Sequence, residues 1–186
     1  MSIITVFDYF NKPKKVLPLY NMLNHIKTGK YRYLIERLRH CREHDDTGDE
    51  LDSLNRIIPR FSVSGNFMMK RGVLKIVSYS GNFLLEIPYM NEKDIKDVKL
   101  LLMEDPFVLA CFENASKTGL VILVNGTSTQ VKHHANFSLA VKYYRQLTGA
   151  RVSTLEGMRA NSTCMVSMDK EIYIAIGGKS FTEFIR

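Results

Sequence analysis

The residues of this chain whose types could do chemistry are few and scattered. Glu86 is a lone carboxylate in an extended apolar run, Phe83-Leu84-Leu85-Glu86-Ile87, that follows a Ser-Gly turn and that Pro88 closes. A charged side chain among strand formers is rarely buried unless paired or metal-bound, so Glu86 marks either a solvated groove or the remnant of a site. Asp169 is a second carboxylate, in a turn where a capping role accounts for it. His133-His134 carries ligand atoms, but neighbours on a helix point about 100° apart, which predicts exposure near a helix start. Cys111 and Cys164 have no adjacent acid or histidine to activate them and read as small apolar residues within strands. Ser116-Lys117-Thr118-Gly119 lacks the Gly-x4-Gly-Lys-Ser/Thr pattern and precedes a strand, so it reads as a hairpin turn instead of a phosphate loop. No spacing among these residues predicts a metal site.

The basic residues form a second constellation. The net charge is +7, and residues 1–44 hold nine Lys/Arg against three acids, leaving the other 142 residues almost neutral. Such asymmetry suits a face for phosphate-rich partners, and it equally suits a solvated helix surface. On the first reading the nucleic-acid contacts are Lys30, Arg32, Arg37, Arg39 and Arg42, joined by Lys70 and Arg71 in one turn and Lys117 in another. Tyr31 and Tyr33 interleave with Lys30 and Arg32, as stacking on a single strand would need. Tyr31 also falls on an apolar stripe.

These residues must be positioned by the elements around them. A β-branched run at 3–7 predicts a first strand, followed by a turn at Asn11-Lys12-Pro13. Helical spacing appears at 20–26 and again at 30–44, where Tyr31, Leu34, Ile35, Leu38 and Cys41 share one stripe. An acidic loop, 45–49, separates this basic beginning from glycine-punctuated extended runs that start at Ile57. Asn91 caps a predicted helix ending before Pro106, and Glu113 to Gly119 links two apolar strands as a hairpin. A helix over 131–148, strands at 163–168 and 172–176, and a short terminal helix at 180–186 complete the reading. The expectation is an α+β fold, a mostly antiparallel or mixed sheet flanked by helices. It divides into a basic, mainly helical segment at 1–50 and a sheet-rich part at 51–186, packed as one compact domain. No run of about 18 apolar residues predicts a membrane span, and no secretory signal opens the chain, so the expected location is cytoplasmic.

Several pieces recur in a recognisable order: Ile58-Pro59 with Phe61, Val63-Ser64-Gly65-Asn66-Phe67, Tyr79-Ser80-Gly81, Asp105-Pro106-Phe107-Val108, Ser116 to Leu120, and residues 164–169 with Ile172-Tyr173. In that order and spacing, over residues 54–173, the chain resembles the VirE amino-terminal-domain family of bacterial mobile elements, a branch of the archaeo-eukaryotic primase superfamily. The resemblance implies a primase-polymerase palm. Such a palm carries two acids two apart on one strand, where both face one side and hold divalent metal against nucleotide phosphates. A basic residue follows a glycine turn, and a third acid comes later.

Position by position, the first acid falls on Glu86, the second on Pro88, the basic position on Val121, the third acid on Ser153, and an arginine usual before the Cys164 strand on Asn161 or Ser162. The scaffold is retained and the chemistry is not. The expected function is therefore a catalytically degenerate primase-like domain, with Glu86 vestigial, no catalytic residue, no metal and no cofactor. Its partners would be nucleic acid, or a replication helicase or ATPase in trans, in a mobile-element or phage-like setting. Two other classes stay open: an active nucleotidyltransferase using Glu86 with Mg²⁺ or Mn²⁺, and a structural or protein-binding remnant.

Overall fold

The computed structural model describes residues 2–8, 12–44, 48–126, 129–154, 157–175 and 177–181. In chain order its elements are β1 (Ile3–Phe7), β2 (Pro13–Pro18), α1 (Leu19–Thr28), α2 (Arg32–Glu43), α3 (Asp49–Ile57), β3 (Arg60–Ser62), β4 (Gly65–Lys70), β5 (Val73–Tyr79), β6 (Phe83–Ile87), α4 (Glu92–Met103), β7 (Val108–Glu113), β8 (Leu120–Val124), α5 (His133–Thr148), β9 (Cys164–Met165) and β10 (Tyr173–Ile174). A 3-10 turn, Gln130–Lys132, leads into α5. The fold is α+β, with sheets ordered β2-β1-β3-β9, β10-β7-β8-β6 and the hairpin β4-β5. Every strand pair among the described residues is antiparallel.

The sheet that carries Glu86 is apolar on both faces, and the twofold alternation of its strands divides the core. Phe83, Leu85 and Ile87 of β6 join Leu120, Ile122 and Val124 of β8 under α4 and α5, where they meet Leu102, Phe137, Val141 and Tyr144. Leu84 of β6 and Val121 and Leu123 of β8 point the other way, onto a cluster with Ile4, Val6, Met22, Ile26, Ile35, Leu38 and Phe61. Successive strand side chains face opposite sides, so Glu86 shares the face of Leu84. One cluster thus spans both the basic beginning and the sheet-rich remainder of the chain.

Helix α4 begins where the sequence predicts. Asn91 Oδ1 accepts the Asp94 N–H at 2.8 Å, and Glu92 and Asp94 lie in the positively polarised first turn. The sequence reading placed Pro13 at the end of a turn and predicted no element over 14–18, where strand β2 runs. This strand is the outermost of its sheet, where a missing N–H is tolerated and Lys14 and Lys15 discourage further pairing. The strand expected at 163–168 is reduced to two residues paired with β3. Residues 182–186 of the expected terminal helix lie outside the described residues.

Candidate functional site: an arginine-flanked cleft at the end of β6

Strand β6 lies at the end of its sheet: among the described strands it pairs only with β8. Its other side is covered by the segment after α5. The Ser153 N–H donates to the Glu86 carbonyl at 2.7 Å. Gly157, at φ 90°, passes so close to Leu84 that a Cβ there would collide with the Leu84 carbonyl oxygen. A loop can therefore cap an apolar strand edge that would otherwise expose ladder groups.

The Glu86 carboxylate is half-buried, and its Oε1 accepts the Asn114 Nδ2–H at 2.9 Å. Asn114 is itself fixed, because its Oδ1 accepts the Thr118 N–H at 3.0 Å across the β7-β8 turn. This donor set does not fit a divalent-cation site of the kind a palm requires. The amide oxygen of Asn114 is engaged in the turn, and the next side chain on Glu86's face, Pro88, has no ligand atom.

Glu86, Pro88 and Tyr89 form a wall shared by two cavities. One, of about 270 Å³, is bordered by Arg42 and Arg60 together with Asn114, Val121 and Cys164. The other, of about 300 Å³, is bordered by Arg145, Arg151, Ser153 and Thr154. Among the described residues, four arginines from α2, β3, α5 and the segment after it thus line these cavities beside one carboxylate, Glu86. Among the described residues Arg42, Arg60, Arg145 and Arg151 make no ion pair within 4 Å, and Arg145 donates to the Val152 carbonyl at 2.9 Å. A cleft with that balance attracts anions, and guanidinium groups match phosphate oxygens in geometry.

Four of the five positions assigned to palm chemistry meet here although they are far apart in the chain. Val121 is the register partner of Glu86. Ser153 binds the Glu86 backbone, and Pro88 lines both cavities. Asn161 lies elsewhere, in an open cavity of about 710 Å³ between the β4-β5 hairpin and the start of α5.

The predicted nucleic-acid contacts separate. Arg42 lines the cleft. Arg32 pairs with Glu36 at 2.7 Å, and Arg37 with Glu50 at 2.7 Å while donating to the Tyr33 hydroxyl. Arg39 is turned inward, its Nε donating to the Ala115 carbonyl and a terminal nitrogen to that of Met168. Lys30 contacts the His25 ring at 3.2 Å. Lys70 and Arg71 are exposed at the tip of the β4-β5 hairpin, and Lys117 is exposed in the β7-β8 turn. The sequence reading did not select Arg60, Arg145, Arg151, Tyr89 or Asn114. Arg145 and Arg151 are close in sequence, but no sequence pattern connects them to residue 86.

Three other candidates resolve into structure. Asp169 accepts the Glu171 N–H at 2.8 Å, the expected turn role, and also the Glu113 N–H and the Lys99 ammonium, the latter at 2.7 Å in a buried pair. Burial, aided by nearby Asp169, raises the Glu113 carboxyl above its ordinary range. His133 was expected on the surface and is 3% exposed, while His134 is exposed. The first residue of α5 faces inward against Phe83 and Phe137. Its Nε2 lies 2.9 Å from the Gly157 carbonyl, which can only accept, so Nε2 carries the proton and Nδ1 accepts the Tyr79 hydroxyl at 2.6 Å. Burial lowers its pKa. All three cysteines are buried, and burial pushes the Cys111 thiol up to about 12. No group of three His, Cys, Asp or Glu that could hold a metal occurs among the described residues, and no helix among them is long and apolar enough to cross a membrane.

No curated protein and no solved structure matches the chain. A family model described as "BT4734-like, N-terminal domain" matches residues 53–174, running from α3 to β10 and taking in Glu86, Asn114, Arg60, Arg145 and Arg151. That span is about two thirds of the sequence, and the chain therefore belongs to the BT4734-like N-terminal domain family.

Proposed function

We propose that this chain is a primase-like domain that has lost its reaction and binds the phosphate backbone of nucleic acid in the cleft at the end of β6. The observation that carries this reading is the set of four arginines, Arg42, Arg60, Arg145 and Arg151, that line the two cavities walled by Glu86. The likeness to the VirE amino-terminal domains and the primase superfamily supports it, since Glu86, Pro88, Val121 and Ser153, four of the five positions that likeness assigns to chemistry, are neighbours. Glu86 then serves the cleft by ordering Asn114 and the β7-β8 turn. The setting is a mobile-element or phage-like replication system, with a helicase or ATPase acting in trans.

The test is binding of labelled oligonucleotides as a function of salt. Affinity should fall steeply as salt rises, with log K linear in log salt. Arg42→Glu and Arg151→Glu should each flatten the slope by about 0.7–0.9 for every phosphate that is no longer neutralised. Arg37→Glu, whose guanidinium is held by Glu50, should leave the slope unchanged. Binding that is absent or indifferent to salt overturns the reading, and a co-purifying protein without nucleic acid supports a protein-binding remnant in its place. An active nucleotidyltransferase remains the second reading, because Glu86 borders open cavities on two sides. It requires Mg²⁺- or Mn²⁺-dependent incorporation that Glu86→Gln abolishes, and the expected result is none with either metal.

A further inference from the structure

Tyr89 is the most conspicuous side chain of the cleft, and charge neutralisation of phosphates gives it no role. It is 87% exposed, yet its backbone is held in the left-handed region at φ 58°. That conformation is disfavoured for a residue with a Cβ and persists only where neighbours enforce it. They do so on both sides. Pro88 restricts the chain before it, the Met90 N–H donates to the Thr118 carbonyl at 2.8 Å after it, and Gly119 packs so closely on Ile87 and Pro88 that a Cβ there would stand 3.0 Å from the Pro88 Cα. The ring is therefore carried on a fixed support and projected into solvent. It stands at the wall common to both arginine-lined cavities.

We infer that Tyr89 is a stacking platform for an unpaired base, which makes the cleft a single-strand site. The inference rests on the reading that the cleft binds nucleic acid. A flat aromatic face with guanidinium groups to either side matches a nucleotide whose base stacks while the backbone runs on through both cavities. In a duplex both faces of an internal base are already stacked, so the ring has nothing to receive. An acidic polypeptide would use the arginines and leave the ring's flat face without a counterpart.

The experiment compares four probes by fluorescence anisotropy at low salt: a single-stranded oligonucleotide, the same strand with abasic sugars in place of its bases, its duplex, and polyglutamate. Two variants remove the ring, Tyr89→Ala and Tyr89→Gly, the second because glycine adopts the left-handed backbone without penalty. Tyr89→Phe keeps the stacking face. Wild type should bind the single strand about 10-fold more tightly than the abasic strand, within the range of one base stacked on an aromatic ring. Both ring-removing variants should lose that margin without changing abasic binding or the salt slope, and Tyr89→Phe should retain it. If single-strand binding is salt-dependent but the abasic strand or Tyr89→Gly matches wild type, the stacking role is wrong and the cleft reading stands. If the duplex binds as tightly as the single strand, single-strand selection is likewise overturned. Binding of polyglutamate alone, or of none of the four probes, removes both.

Discussion

At the scale of single residues the same side-chain types do opposite jobs according to their surroundings. The four arginines in residues 32–42 share one residue type and one helix. Arg39 hydrogen-bonds two carbonyls in the interior, Arg32 and Arg37 are matched to glutamates, and Arg42 alone among them borders the cleft. His133 is the clearest titrating group. Burial holds its folded-state pKa below the ordinary 6.5, so below about pH 6.5 the unfolded chain takes up more protons than the folded one and stability falls as pH drops. His133→Gln can keep both hydrogen bonds, donating to Gly157 and accepting from Tyr79, and has nothing to protonate. Denaturant midpoints measured from pH 7.5 to 5 should fall less steeply for the variant than for wild type; parallel curves would show that His133 does not set the acid limb. Glu113 acts with the opposite sign, since its raised pKa favours the folded state at low pH and that contribution fades as pH rises above the ordinary 4.5.

At the scale of elements, what decides the site is how the free side of β6 is closed. Its five residues alternate between two cores, which is legible in the pattern Phe83-Leu84-Leu85-Glu86-Ile87, but the pattern reads the same for a central strand and for a covered end strand. The covering depends on Gly157, whose φ of 90° and contact with Leu84 leave no room for a side chain. Gly157→Ala should destabilise the fold by about 1–3 kcal/mol or more and loosen the segment that carries Arg151 and Ser153. Urea unfolding gives the first effect, and faster amide exchange at Ser153, whose N–H bonds Glu86, gives the second. An unchanged midpoint with unchanged exchange would mean that the edge is closed by something other than this contact. The helices were legible for the opposite reason: Asn91, with acids behind it and Pro106 beyond, states the limits of α4 locally.

For the whole molecule, the matched family segment begins inside α3, yet the core it needs begins at Ile4. Leu84, Phe112, Val121 and Leu123 look toward β1, α1 and α2, elements that precede residue 53. A fragment of residues 53–186 would expose that sheet face to water, forfeiting roughly 1.5–3 kcal/mol per large apolar side chain uncovered. It should show no cooperative thermal transition and should bind a hydrophobic dye, while the full chain melts cooperatively. Cooperative melting of the fragment would mark residues 1–52 as an accessory layer.

The sequence by itself determined the local facts. It set which runs extend and which coil, where α4 is capped, that a solitary carboxylate interrupts β6, and that Pro88 follows it where a second acid would give a metal site. These depend on neighbours within a few residues, and periodicity and backbone propensity record such neighbours directly. Only the tertiary structure decided that β6 lies at a sheet's end under Ser153 and Gly157, that His133 faces inward, and that Arg42, Arg60, Arg145 and Arg151 converge on Glu86 and Tyr89. The reason is physical: a side chain's partners are set by which faces the two cores bury, and residues more than 100 positions apart come together through that packing without leaving a local mark in the chain.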